Sequence, residues 1–253
     1  MPDELYVGYL PAPAGAARFA RLAAAVLVVC FAMGAGLLAA FQDDPGAGSW
    51  EANPSEMYSG VLLLDPYPRI VFDKPTKAAG PINPADSAIL VEEGKFGADG
   101  RSARFKEQPV RVQGTLIERE GRAVLELSPA LDAIEAAKSD VLPDKPFAAG
   151  GASSTVQLEG EIVDPKCYLG VMRPGRGKTH LSCAELCISG GIPPVLVVRR
   201  AGGADAYLLV TSEGSPANSL VRGHVGGPVR VAGTVEGRRG GWEVLRVTSI
   251  ADR

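Results

Sequence analysis

PVRVQGT at residues 109–115 returns as PVRVAGT at 228–234. Other blocks repeat in the same order around this pair. Upstream, AILV (88–91) matches YLLV (207–210), and GVLLLDP (60–66) echoes GEIVDP (160–165). Downstream, AVLEL (123–127) parallels EVLRV (243–247). Four blocks in one order mark a duplication, so the chain reads as two copies of one domain.

The repeated blocks alternate apolar and polar residues, the period of a half-buried strand. In each copy two such strands flank a polar, Gly-containing turn, which predicts a β-hairpin. The first runs over 110–118, turns near Glu120 and Gly121, and returns over 123–127. The second runs over 229–236, turns through RRGG (238–241), and returns over 242–247. Frequent Gly and Pro, few aromatics and short Val-rich runs predict a mainly β chain. The strand count and copy size fit small OB-like barrels of about five strands; a β-sandwich meets the same pattern. PALDAIEAAKS (129–139) predicts a short helix leaving the first copy, and 143–154 reads as a Pro/Gly/Ser linker.

LAAAVLVVCFAMGAGLLAAFQ (22–42) carries no charge and is as long as the ~20 residues that cross a bilayer as a helix. A cleavable leader has a shorter apolar core and ends in small residues at a cleavage site, so an uncleaved anchor is the expectation. Arg18 and Arg21 precede the run, and Asp43 and Asp44 follow it. The positive-inside rule then puts 1–21 in the cytoplasm and the rest in the periplasm or outside. The predicted organisation is an N-terminal segment (1–21), a transmembrane helix (22–42), a first OB-like domain (43–142), a linker (143–154) and a second OB-like domain (155–253). A net charge of −3 gives no basic footprint for nucleic acid. A membrane protein complex is the expected partner, and no small-molecule ligand is readable.

CYLGVMRPGRGKTHLSCAELC (167–187) holds three of the four cysteines and one of the two histidines. His180, Cys183 and Cys187 stand at i, i+3 and i+7, one face of a helix. Thr179 is suited to cap that helix, and Gly190, Gly191, Pro193 and Pro194 to end it. With Cys167 folded back, the four residues would make a tetrahedral site for zinc, and Met172 adds a thioether suited to Cu(I). The first copy has no Cys or His at the matching place, so the second copy is expected to carry the site.

Two rival readings stand beside it. An extracytoplasmic compartment favours disulfides, and Cys167 could be bridged to one helix cysteine as a staple in a structural subunit. Alternatively, Arg176, Lys178 and His180 could activate Cys183 or Cys187 for thiol redox work, although no CxxC is present. GRGKT (175–179) is not a phosphate loop, because that motif needs glycine where Met172 stands. His224 sits in a Gly-rich turn and reads as a surface residue. No nucleophile triad or carboxylate pair is readable, so a binding or accessory role is expected over an enzymatic one.

The strings GEIVDPKCYLGVM (160–172) and HLSCAELCISGGIPP (180–194) resemble small exported bacterial β-barrel domains with a KC motif and a later HxxCAxxCxxxGxP. Lys166, Cys167, His180, Cys183, Ala184, Cys187, Gly191 and Pro193 carry the likeness, which covers the second copy only. The resemblance implies export and an OB-like domain, and it implies no particular activity.

Overall fold

A computed structural model describes residues 12–41, 48–51, 56–76, 85–137, 153–201, 203–239 and 242–253. Helix α1 (Ala14–Ala40) belongs to a compact unit separate from the one that starts at Gly46. It buries no residue, and its length and apolar character suit a membrane crossing. It starts before the expected Leu22 because AGAARFAR is rich in helix-favouring Ala and Arg. Gln42, the expected last residue of the span, lies outside the described residues.

The second unit contains both repeats. The first supplies β1 (Gly48–Glu51), β2 (Met57–Leu63), β3 (Arg69–Phe72), β4 (Ser87–Val91), the short helix α2 (Asp99–Ser102), β5 (Gln108–Arg119), β6 (Arg122–Leu127) and β7 (Ile134–Ala136). The second supplies β8 (Ser154–Val163), helix α3 (Leu181–Ser189), β9 (Val195–Arg200), β10 (Gly203–Val210), β11 (Pro228–Arg239) and β12 (Trp242–Asp252).

Each repeat closes a five-stranded ring. The first runs β5-β2-β3-β4-β6 and back to β5; the second runs β11-β8-β9-β10-β12 and back to β11. In both, the third and fifth strands pair parallel and all other ring neighbours antiparallel, the OB-type path. Registers match position by position. Gly60 pairs Val110 as Gly160 pairs Val229, and Ile89 pairs Val124 as Leu208 pairs Val244. Gly60 and Gly160 serve one steric need: a Cβ there would lie 2.0 Å from the Val71 carbonyl oxygen or 2.3 Å from that of Val197.

Both predicted hairpins form, and Glu120 and Gly121 take positive φ at the first turn, as a two-residue primed turn requires. The expected helix over 129–139 does not form. Ile134 is buried instead, and β7 pairs Val110–Val112 on the edge that β2 leaves open. Lys138 and Ser139 lie outside the described residues, as does the expected linker up to residue 152. β3 arises inside a stretch that reads as connecting sequence.

The two barrels are not beads on a linker. Each has its own interior: Leu62, Ile70, Leu90, Val110 and Leu125 in the first, Ile162, Leu196, Leu209, Val229 and Leu245 in the second. A third apolar cluster joins them. Ile89, Val91 and Val124 of the first repeat pack with Leu208, Val210 and Val244 of the second, which are the same repeat positions. β4 and β10 are therefore buried on both faces, the reason AILV and YLLV lack alternation. Tyr67 crosses the junction: its hydroxyl donates to the Leu209 carbonyl (2.8 Å) and accepts from the Ala217 N–H (2.7 Å).

Candidate metal centre

The Cys/His segment fills the connection between β8 and β9, residues 164–194. Its counterpart in the first repeat is the short link 64–68. Asp164, fully buried, directs the entry. One carboxylate oxygen accepts the Cys167 N–H (2.8 Å) and the other meets His180 Nε2 (2.9 Å). Cys167 then opens a wide π-type turn, Cys167–Val171. Gly175 closes the loop over it, since a Cβ there would stand 2.3 Å from the Cys167 carbonyl oxygen.

α3 forms as the sequence predicts and stops at Gly190. Thr179 is not its cap. His180 holds that position with no side-chain cap bond, because its ring is turned to Asp164. One side of α3 sets Ala184 and Ile188 on the second barrel's interior, and another sets Cys183 and Cys187 on the shared cluster. Cys183 and Cys187 thus share one side of the helix, while His180 stands at its N-cap with the ring toward Asp164.

The ligand atoms of Cys167, His180 and Cys183 lie within 4.8 Å of one another, as do those of Asp164, Cys167 and Cys187. Tetrahedral ligands at about 2.0–2.3 Å from zinc have a comparable spacing. Cys167, Cys187 and His180 are buried and Cys183 is half-buried. None of the three is disulfide-bonded, so the stapling bridge open on sequence grounds is not formed; Cys167 instead faces both helix thiols. Met172, which follows the wide turn, is 42% exposed. His224 pairs with Asp252 at a distance of 2.7 Å.

Two details fit a cation. His180 Nδ1 is buried with no hydrogen-bond partner, while Nε2 is committed to Asp164. A carboxylate that takes Nε2–H fixes the tautomer and leaves the Nδ1 lone pair for a metal, a common second-sphere arrangement. The thiols are also poised unevenly. Hydrogen bonding between Cys167 and Cys187 holds the first thiol above the ordinary range and the second below it; burial pushes the first up further. The thiolate form that metals need is thereby favoured at one of the pair.

The first barrel completes the surroundings, which the sequence did not announce. Lys95, in the loop after β4, brings its Nζ to 2.7 Å from Cys183 Sγ and 3.9 Å from Cys187 Sγ. That bond to Cys183 holds the Lys95 ammonium above its ordinary range. Lys166, buried beside Cys167, reaches back to the carbonyls of Glu92 (3.0 Å) and Gly94 (2.8 Å) and to the Glu126 carboxylate (2.5 Å). Gly97 N–H donates to the Gly190 carbonyl (3.0 Å), so the loop backbone abuts the end of α3. Asp164 had a faint signal in the repeated Asp-Pro, but its counterpart Asp65 is exposed and pairs with Lys106. Lys95 had no signal, being remote in sequence from every ligand.

No protein-family model matches the chain, and no curated protein matches it. Among solved structures the chain is similar to one described as the crystal structure of the tetrameric p202 HIN2. Identity is 10% over 84% of this chain and 100% of that one, with a TM-score of 0.23, a level of likeness that bears on neither fold nor function.

Proposed function

We propose that this protein is a membrane-anchored accessory protein whose barrels, outside the cytoplasm, hold a thiophilic cation, zinc or Cu(I), at Cys167, His180, Cys183 and Cys187. Its role is binding rather than catalysis, tied to electron transfer or cofactor assembly within a membrane complex. The observation that carries this reading is the convergence of His180 with the unbridged Cys167 and Cys183 within 4.8 Å, together with a His180 Nδ1 that is buried and unpartnered. A buried polar atom without a partner is costly, by about 1–3 kcal/mol, and a bound cation removes that cost. Met172 is not needed to complete the donor set. Arg18 and Arg21, in the first turns of α1 ahead of its uncharged run, support a cytoplasmic N-terminus.

The test is metal content and free-thiol count of the full chain, purified in mild detergent without chelator or histidine tag. About one zinc or copper per chain is expected on tetrahedral-site grounds, with loss of the metal in His180→Ala. A metal-free wild type whose thiols match those of His180→Ala would refute the reading.

A further inference from the structure

Lys95 and Cys183 come from different barrels and meet at 2.7 Å. N–H···O hydrogen bonds span about 2.7–3.2 Å, and sulfur is a larger atom than oxygen, so this approach is closer than a hydrogen bond to sulfur requires. Two single bonds meeting at one oxygen have a span of this order. Cys187 Sγ, at 3.9 Å, is out of reach of such a one-atom link. Access is also selective. Cys183 is half-buried and Lys95 is half-buried, while Cys167 and Cys187 are buried, so an oxidant from solvent meets Cys183 first. We infer that Lys95 and Cys183 form an oxidative modification site, where dioxygen or a peroxide inserts one oxygen between Nζ and Sγ and locks the two barrels together covalently.

The step balances. Starting from ammonium and thiolate, one dioxygen forms an S–O and an N–O bond. The O–O bond and two N–H bonds break, and the two hydrogens leave with the second oxygen as water. Sulfur and nitrogen each lose two electrons, and dioxygen takes all four. Two hydrogen peroxide molecules do the same work and release three waters. A sulfenic acid is the usual first product of a thiolate with peroxide; a second two-electron oxidation then joins its oxygen to Nζ, since simple condensation would expel that oxygen as water and leave an S–N bond. The bridge needs no metal. It does withdraw Cys183 from any metal, so oxidation and metal loading become mutually exclusive at this sulfur.

The experiment is peptide mass spectrometry on the full chain in detergent, stripped with chelator and reductant and then treated with hydrogen peroxide or air-saturated buffer. The expected product joins the Lys95 and Cys183 peptides with a gain of one oxygen and a loss of two hydrogens, and dithiothreitol reverses it. Lys95→Arg keeps the positive charge and should abolish the product. Cys187→Ser removes one of the two competing disulfide partners, the other being Cys167, and should retain it. Recovery of Cys183 as a disulfide in the wild type, or as a sulfinic acid in Cys187→Ser with Lys95 free, overturns the inference. So does a Cys183 thiol that survives the treatment. Metal content of the untreated protein reads the metal site separately, so the two proposals fail independently.

Discussion

Gly190→Ala tests the seam between the barrels at one point. Gly190 follows α3 with φ −79° and ψ 0°, a conformation alanine adopts freely, so backbone strain plays no part. The obstacle is contact: the new Cβ would stand 1.9 Å from the Lys95 carbonyl oxygen. Non-bonded heavy atoms settle at about 3.5 Å or more, so the 95–97 backbone must retreat by roughly 1.5 Å. Overpacking of this kind costs about 1–3 kcal/mol. The Gly97 to Gly190 hydrogen bond is lost with the movement, for about 0.5–1.5 kcal/mol more. Lower freedom of the unfolded chain offsets about 0.4–1 kcal/mol. The net loss is near 2 kcal/mol, which for a body of this size lowers the melting temperature by about 4–8 °C. Thermal unfolding of the full chain in detergent, followed by tryptophan emission, reads it, since Trp242 is buried in the shared cluster. Gly100→Ala is the control, because nothing lies within 4 Å of its Cβ. If Gly190→Ala melts no lower than Gly100→Ala, the loop does not press on α3 and the account of the junction is wrong.

Three further outcomes are expected. Tyr67→Phe keeps the ring but strands the buried Ala217 N–H, and should destabilise by about 1–3 kcal/mol, read as a lower urea midpoint at unchanged slope. One transition is expected, because the barrels share a core; two separate transitions would contradict that. Asp164→Asn should weaken metal binding about 10- to 100-fold, measured by competition with a chromophoric chelator, while the thiol count stays the same. Val28→Arg, near the middle of α1, carries an insertion cost of about 2.5–3.5 kcal/mol and should raise the fraction of protein released by alkaline carbonate from membranes; no change in release counts against a bilayer span.

Much of the fold was legible because the duplication offers each strand a second witness. PVRVQGT and PVRVAGT became β5 and β11 in matching registers, and α3 appeared between its predicted face and its Gly-Pro stop. The misses share a cause. RIVF (69–72) is a short strand buried on nearly all sides within Pro-rich sequence, so it shows no alternation to read. DAIEAAK favours a helix by propensity, yet the open edge of β5 and the burial of Ile134 outweigh it. Periodicity told which residues of AILV and YLLV are apolar, not that one face serves a second barrel. The four candidate ligands were readable as a cluster of soft donors, three of them at helical spacing. Asp164 and Lys95 were not, because what they do depends on which loops meet.

The way those loops meet changes what the first repeat is for. Equivalent positions of two copies pack on one another, as in a self-complementary dimer interface, here within one chain. The connection between the first and second ring strands of either copy therefore lies beside the loop after the third ring strand of the other. In this chain the insertion is in the second copy, and the loop it meets carries Lys95. Hydrogen bonding from Cys167 favours the thiolate at buried Cys187, and a buried charge without a counterion is costly. Lys95 supplies the counterion from the other copy, and Lys166 ties the loop that bears it. The first repeat contributes the Lys95 ammonium beside Cys183 and apolar residues of the shared cluster that buries the thiols. A second barrel freed of the first would expose Leu208, Val210 and Val244 and leave Cys183 without the Lys95 ammonium, so the surroundings of the candidate centre depend on both repeats.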